Sequence, residues 1–313
     1  MKRVLTGLAG VVAAALTLTA CGGSSDPLAQ PQPTTGAATT TTGAPASTDT
    51  VVIGSANFPE STLIAEIYAG ALEAKGVKVS KKLNIGSRET YYLGLQDGSI
   101  DLIPEYTGVL LTHVDKTAKA TEADEVYAAL QKALPEKLTV LEKSDAEDKD
   151  AVVVTKQTAD SLKLKTIEDL AKAGPVVIGG PPEFQKRADG LPGLKETYNL
   201  EAKEFKPLDV GGPLTVDALK TGAVQAADLF TTDPAIAAND FVVLEDPKSN
   251  FAAQNVVPLI NKAKATDTVK QVLNAVAAKL TTETLIELNG KLSAPDKPDA
   301  AKVAKEWLAK AGI

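Results

Sequence analysis

From residue 51 onward, short β-branched runs alternate with segments whose apolar residues recur every three or four positions. Val51-Val52-Ile53-Gly54 has the length and composition of a buried strand. Asn57-Phe58-Pro59-Glu60 follows, with Asn57 placed as a cap, an early Pro and an acid three residues on, a helix start. Leu63, Ile64, Ile67, Tyr68, Ala71 and Leu72 then fall on one helical face, and Gly76 ends it. Val77–Val79 with Lys81–Leu83 alternates as a strand, 88–96 reads as a helix, and Asp97-Gly98 is a turn. Ile100–Ile103 is a strand, and Pro104 is expected to open a helix reaching Leu111.

The second half repeats this style. Strands are expected at 151–154, 175–180, 224–229, 241–244 and 256–260, and helices at 167–173, 214–221, 268–280 and 302–311. Strands alternating with helices predict an α/β body in two lobes, with mainly parallel strands.

The first fifty residues have a different character. Lys2 and Arg3 precede an uncharged apolar stretch, Val4 to Thr19, which closes on Leu18-Thr19-Ala20-Cys21. A basic start, an apolar run and small residues at the end predict a signal peptide, residues 1–20. The Leu-x-Ala-Cys ending resembles the lipobox of bacterial lipoproteins. It implies lipid on Cys21 and a membrane attachment through that anchor alone. Residues 21–50 are almost wholly Gly, Ser, Thr, Ala, Pro and Gln, with too little apolar surface to fold. As a flexible coil they span about 30 Å.

Charge and chemistry narrow the function. The formal charge is −7, and removal of Lys2 and Arg3 leaves 31 − 40 = −9. No basic excess exists to displace counterions from a nucleic acid. Cys21 is the single cysteine and His113 the single histidine. Disulfides, thiolate metal sites and His clusters are therefore excluded, and a Ser-His-Asp arrangement is improbable. Neither a Gly-x-Ser-x-Gly elbow nor a Walker phosphate loop occurs.

A set of segments then carries a family resemblance. In chain order they are 53–58 (IGSANF), 86–89 (GSRE), 98–108 (GSIDLIPEYTG), 180–184 (GPPEF), 189–194 (DGLPGL) and 231–233 (TTD). Together they resemble the substrate-binding lipoproteins of osmoprotectant ABC importers, the ProX-type branch, which takes up glycine betaine, choline, carnitine and proline betaine. The resemblance implies a two-lobed type II periplasmic-binding fold, with residues 51–149 plus 251–313 as one lobe and 150–250 as the other. It implies a monomer outside the cytoplasm that uses no cofactor, is not an enzyme, and delivers its solute to a permease and its ATPase. In such receptors aromatic rings surround the quaternary ammonium, because a cation without N–H groups finds its natural partner in a ring face. Basic side chains and hydroxyls hold any carboxylate.

Carried over position by position, the match is incomplete. Tyr106 falls on a ring position, and Phe230 falls on a second without its hydroxyl. Gln254 stands where a third ring is usual, and no aromatic occurs at the first crossing near Asp150 and Ala151. Arg187 matches the arginine of the carboxylate subsite, whereas Ala56 and Val109 replace a Lys and a Thr. Asn57 and Thr107, from the matching motifs, complete the expected ligand set. Two rings of four and one carboxylate partner of three remain. At about 0.5–2 kcal/mol per ring–cation contact, two lost rings predict weak betaine binding. The changes predict better binding of a larger solute, neutral or with a single polar end. Read without the resemblance, Tyr106 and Phe230 are equally core rings, Arg187 a surface charge and Gln254 a loop cap. A non-transport lipoprotein acting by protein contact, or an enzyme on a receptor-like fold, are the alternatives.

Overall fold

The computed structural model describes residues 49–296 and 298–313. The expected signal peptide, the expected lipid site at Cys21 and nearly all of the expected tether lie outside the described residues. Thr50, read as the tether's end, is already the first residue of a strand.

Among the described residues, ten strands form two five-stranded sheets. The first contains β1 (Thr50–Gly54), β2 (Lys78–Lys82), β3 (Leu102–Tyr106), β4 (Leu138–Val140) and, from far along the chain, β10 (Val256–Asn261). The second contains β5 (Asp150–Thr155), β6 (Val176–Gly180), β7 (Ala202–Pro207), β8 (Ala226–Phe230) and β9 (Phe241–Val243). Their orders are β2-β1-β3-β10-β4 and β7-β6-β8-β5-β9. The chain thus crosses from the first sheet to the second between residues 140 and 150, and returns between 243 and 256. The two crossings run side by side: a bridge joins Glu147 to Asn255, and Gln254 N donates to Glu147 Oε1 (3.0 Å).

Successive strand residues serve opposite cores. Val51 and Ile53 pack on one face with Leu63, Ile67 and Leu72, whereas Val52 packs on the other with Leu95 and Leu110. In the second sheet, Val152 and Val154 face Ile167, Leu170 and Leu194, and Ala151 and Val153 face Leu219 and Leu229. Helices cover both faces of each sheet, which is why these strands read as unbroken apolar runs.

Four strands of each sheet run in one direction, as expected, and one strand in each runs against them: β10 is antiparallel to β3 and β4, and β5 to β8 and β9. These are the strands that follow the crossings. The parallel strands β1, β3, β6 and β8 end towards the other lobe, so a chain arriving from that lobe must run against them.

One expectation is corrected at 104–106, which continue β3 instead of opening a helix; α3 begins at Thr107. (The preceding helices are α1, Pro59–Ala74, and α2, Arg88–Asp97; α3 is Thr107–Val114.) Pro104 faces Pro258 across the β3–β10 ladder. Pro258 O accepts from Leu141 N on the far side (3.0 Å), so the facing pair is one that exchanges no hydrogen bonds. Two prolines therefore sit in a sheet interior without breaking that ladder. Asn57 is not a cap either. Phe58 occupies the cap position of α1, without a side-chain bond, and Asn57 is exposed.

Elements with weak sequence signals also formed. The edge strand β7 is mostly exposed and so lacks clear alternation, and β4 is only three residues long. Helices Ala123–Ala133 and Thr282–Leu292 bury two and three residues of eleven, too narrow a stripe to stand out.

Candidate functional site

A cleft of about 570 Å³, counting the space open at its mouth, lies between the lobes. Its walls follow from the strand directions. Ala56, Asn57 and Phe58 come from the turn after β1, Tyr106 from the end of β3, Pro181 from the turn after β6, Val210 from the loop after β7 and Phe230 from the end of β8. Asp150 opens β5, and Gln254 precedes β10. Carboxyl ends of parallel strands and entry ends of the antiparallel ones thus converge on one crevice, the usual place for a ligand in open α/β sheets.

Aromatic rings line it from both lobes. Phe58 lies 5.4 Å from Phe230, centroid to centroid, and 6.1 Å from Tyr106, tilted about 31° and 32°. Tyr91 of α2 is a fourth ring on the wall, its hydroxyl donating to Glu105 Oε1 (2.7 Å). Tyr106 is fixed from behind, since its hydroxyl donates to Glu60 Oε1 (2.5 Å). Phe58 and Tyr91 were missed in the sequence reading. Phe58 looked like part of a helix start, although an aromatic immediately after a buried strand is placed where such a crevice forms. Tyr91 lies within the helix expected at 88–96 and was given no role of its own.

Two guanidinium groups reach the cleft, and carboxylates already hold both. Arg88 donates from Nε and Nη2 to the two oxygens of the fully buried Glu105 (2.9 Å each). Arg187, in the second lobe, donates from Nε and Nη2 to Oε1 and Oε2 of Glu89 on α2 of the first (3.2 and 3.1 Å). Arg187 therefore lines the cleft as expected, but its Nε–Nη2 edge is engaged by a carboxylate across the lobes.

The remaining charged groups on the walls are acidic: Asp148, Asp150 and Glu183. Burial, and then the nearby Glu60 carboxylate, push the Asp148 carboxyl well above its ordinary range. Asp148 accepts from Thr232 N (3.0 Å) and Thr231 Oγ1 (3.3 Å). Burial and the neighbouring Asp189 hold Asp150 up, at about 6, against the lowering effect of Arg187 and Arg88. Behind it Asp228 is buried, also raised, with Oδ1 lacking a partner.

The other expected site residues fall into two groups. Asn57 lines the cleft, as do Ala56 and Val109. Thr107 does not: it is fully buried, donates to Ala253 O and accepts from Asn255 N (3.1 Å each). Its hydroxyl is spent tying the start of α3 to the second crossing. Gln254 does both. Its Oε1 accepts from Val109 N (2.9 Å), capping the third residue of α3, while its side chain touches the cleft. Because Val109 N is a donor, the amide's NH₂ end is the one left over. The backbone comes so close that a Cβ on Gly108 would lie 2.7 Å from Ala253 O.

Among the described residues no group of three or more His, Cys, Asp or Glu is arranged to hold a metal ion, and no helix is long and apolar enough to cross a membrane. His113 packs against Tyr92 at 4.7 Å, outside the cleft lining.

Comparison with known proteins agrees with this architecture. Residues 49–310 match the family described as the substrate-binding domain of ABC-type glycine betaine transport systems. The chain is similar to the glycine betaine-binding protein YehZ of Escherichia coli K12, 27% identical over 84% of this chain and 90% of that one. It is similar to a glycine-betaine-binding protein of Pseudomonas aeruginosa, 26% identical over 69% of this chain and 73% of that one. A crystal structure described as a glycine betaine/carnitine/choline ABC transporter superposes with a TM-score of 0.67, 26% identity, and coverage of 84% and 98%. With its two mixed sheets and interlobe cleft, the chain belongs to the family of substrate-binding domains of ABC-type glycine betaine transport systems.

Proposed function

We propose that this protein is an extracytoplasmic receptor, tethered by lipid on Cys21, which captures an osmoprotectant-type quaternary ammonium solute and delivers it to an ABC permease. The observation that carries this reading is the meeting of Phe58 and Tyr106, from one lobe, with Phe230, from the other, on a single cleft wall. A tetraalkylammonium has no N–H to donate, so ring faces and nearby carboxylates are the groups that attract it. Asp150 and Glu183 supply the carboxylates. Closure of two lobes on a small solute is the hinge motion of such receptors, and the paired crossings at Glu147 and Asn255 form a suitable pivot. The similar proteins named for glycine betaine binding support the same class.

The test is calorimetry on the lipid-free chain with choline, carnitine, glycine betaine and proline betaine, alongside 3,3-dimethylbutan-1-ol, choline's uncharged carbon isostere. Binding of one or more quaternary ammonium solutes, with the isostere at least about tenfold weaker, supports the reading. Equal binding of choline and its isostere would point instead to a neutral solute, and no binding of any would overturn the receptor assignment.

A further inference from the structure

Both arginines at the cleft are engaged, but in different ways. Arg88 and Glu105 belong to the same lobe and are buried together, so that pair is part of the wall. Arg187 and Glu89 come from opposite lobes and are partly exposed, 25% and 46%. A guanidinium can meet a carboxylate along either of two two-pronged edges, Nε with one Nη or the two Nη together. In Arg187, Glu89 fills an edge of that kind with both of its oxygens. An incoming solute carboxylate would either displace Glu89 or take the Nη1–Nη2 edge of a guanidinium whose charge Glu89 already balances, beside the acidic Asp150 and Glu183. A solute carrying only the ammonium displaces nothing and leaves the interlobe pair intact.

We infer that Glu89 is a specificity-determining residue: as a built-in carboxylate on Arg187, it selects quaternary ammonium solutes without a carboxylate and rejects those that carry one. This rests on the reading of the cleft given above. Glu89 is not itself among the cleft-lining residues and acts through Arg187, so it is a positioning residue. Although partial burial pushes its carboxyl up, the Arg187 guanidinium holds it down, to about 2, so it is ionised throughout the physiological range.

The experiment compares choline with glycine betaine, which differ in a hydroxymethyl against a carboxylate, by calorimetry on the wild type, Glu89→Gln, and Glu89→Gln/Arg187→Gln. The wild type should favour choline by about tenfold or more. Glu89→Gln should leave the Arg187 charge uncompensated and strengthen betaine binding about tenfold, with choline changed by less than about threefold. The double variant should lose that gain. Equal weakening of both solutes by Glu89→Gln would overturn the inference and leave Glu89 as a closing contact alone, as would a wild type that prefers betaine. Binding of neither solute by the wild type would overturn the inference, and the receptor reading falls with it only if carnitine and proline betaine also fail to bind, which separates the two failures. Glu89→Ala, at the same half-exposed position, should reproduce the change in ratio.

Discussion

Phe58 and Phe230 sit 5.4 Å apart at a 31° tilt, one carried by each lobe. Their contact supplies a ring that the sequence appeared to have lost at Gln254. Truncating either should weaken binding of a quaternary ammonium solute by a few-fold to about thirtyfold, the range for one ring–cation contact. Phe58→Leu keeps most of the bulk and should lose nearly as much, which distinguishes ring electrostatics from packing. Calorimetry decides; unchanged affinity in Phe58→Ala would remove that residue from the site.

Closure has its own contact. Thr232 Oγ1, in the second lobe, donates to Glu60 Oε2 in the first (2.7 Å), and Asn289 Nδ2 donates to the same oxygen (2.5 Å). Thr232→Val removes the interlobe donor and leaves a buried carboxylate short of one bond, which costs about 1–3 kcal/mol of the closed state. Its small-angle scattering should show a larger radius of gyration than the wild type without solute, and contraction when solute is added. Curves superposable on the wild type in both conditions would count against Glu60 as a closing contact.

Gln254 should prove more important to the fold than to the ligand. Gln254→Ala leaves Val109 N without its acceptor, a loss of about 1 kcal/mol, or roughly 2–4 °C in melting temperature for a chain of this size. Solute affinity should move less than about threefold. Gly108→Ala should destabilise more, because its Cβ would meet Ala253 O at 2.7 Å. Thermal melts paired with calorimetry check both; a Gln254→Ala protein that melts normally but binds poorly would reverse the assignment.

Asp150 sets a pH dependence whose sign is fixed. Its carboxyl titrates at about 6 in the fold, above the unfolded value of about 3.9, so the fold favours the protonated form. That contribution is complete below about 3.9 and is lost as pH rises through about 6. Asp148 and Asp228 shift in the same direction. Glu89, held at about 2, has the opposite sign, but its contribution fades only in strong acid. Urea unfolding should therefore give lower stability at pH 7 than at pH 5, and Asp150→Asn should recover about 1–2 kcal/mol of it at pH 7, discounted for partial exposure. A cation in the cleft favours the ionised form, so choline affinity should rise over the same interval. A flat profile in both measurements would mean that Asp150 titrates normally.

The membrane attachment is tested independently of the cleft. If Cys21 carries lipid, Cys21→Ala should move the protein from the membrane fraction to the soluble fraction or medium, with solute binding unaltered. Unchanged membrane partitioning would sink the anchor.

What the sequence determined by itself was local or regional. The apolar runs at 51–54, 151–154 and 256–260 pointed to buried strands, because they are rich in β-branched residues and too short for a helix. The spacing from Leu63 to Leu72 could only be a helix face. Motif order carried the family, and with it Tyr106, Phe230, Arg187 and Asn57 as cleft residues. Tertiary structure decided the rest. Whether Pro104 opens a helix or continues a strand depends on Pro258, more than a hundred residues away, offering a position that needs no hydrogen bond. Thr107 and Gln254 carry polar groups whose partners, Ala253 O and Val109 N, are near only because the second crossing lies against α3. Strand direction after each crossing follows from where the chain enters a lobe. Arg187 looked free because its partner is brought to it from the opposite lobe; a side chain's availability depends on what the folded chain places within 3 Å or so of it, and periodicity along one segment carries no information about that distance.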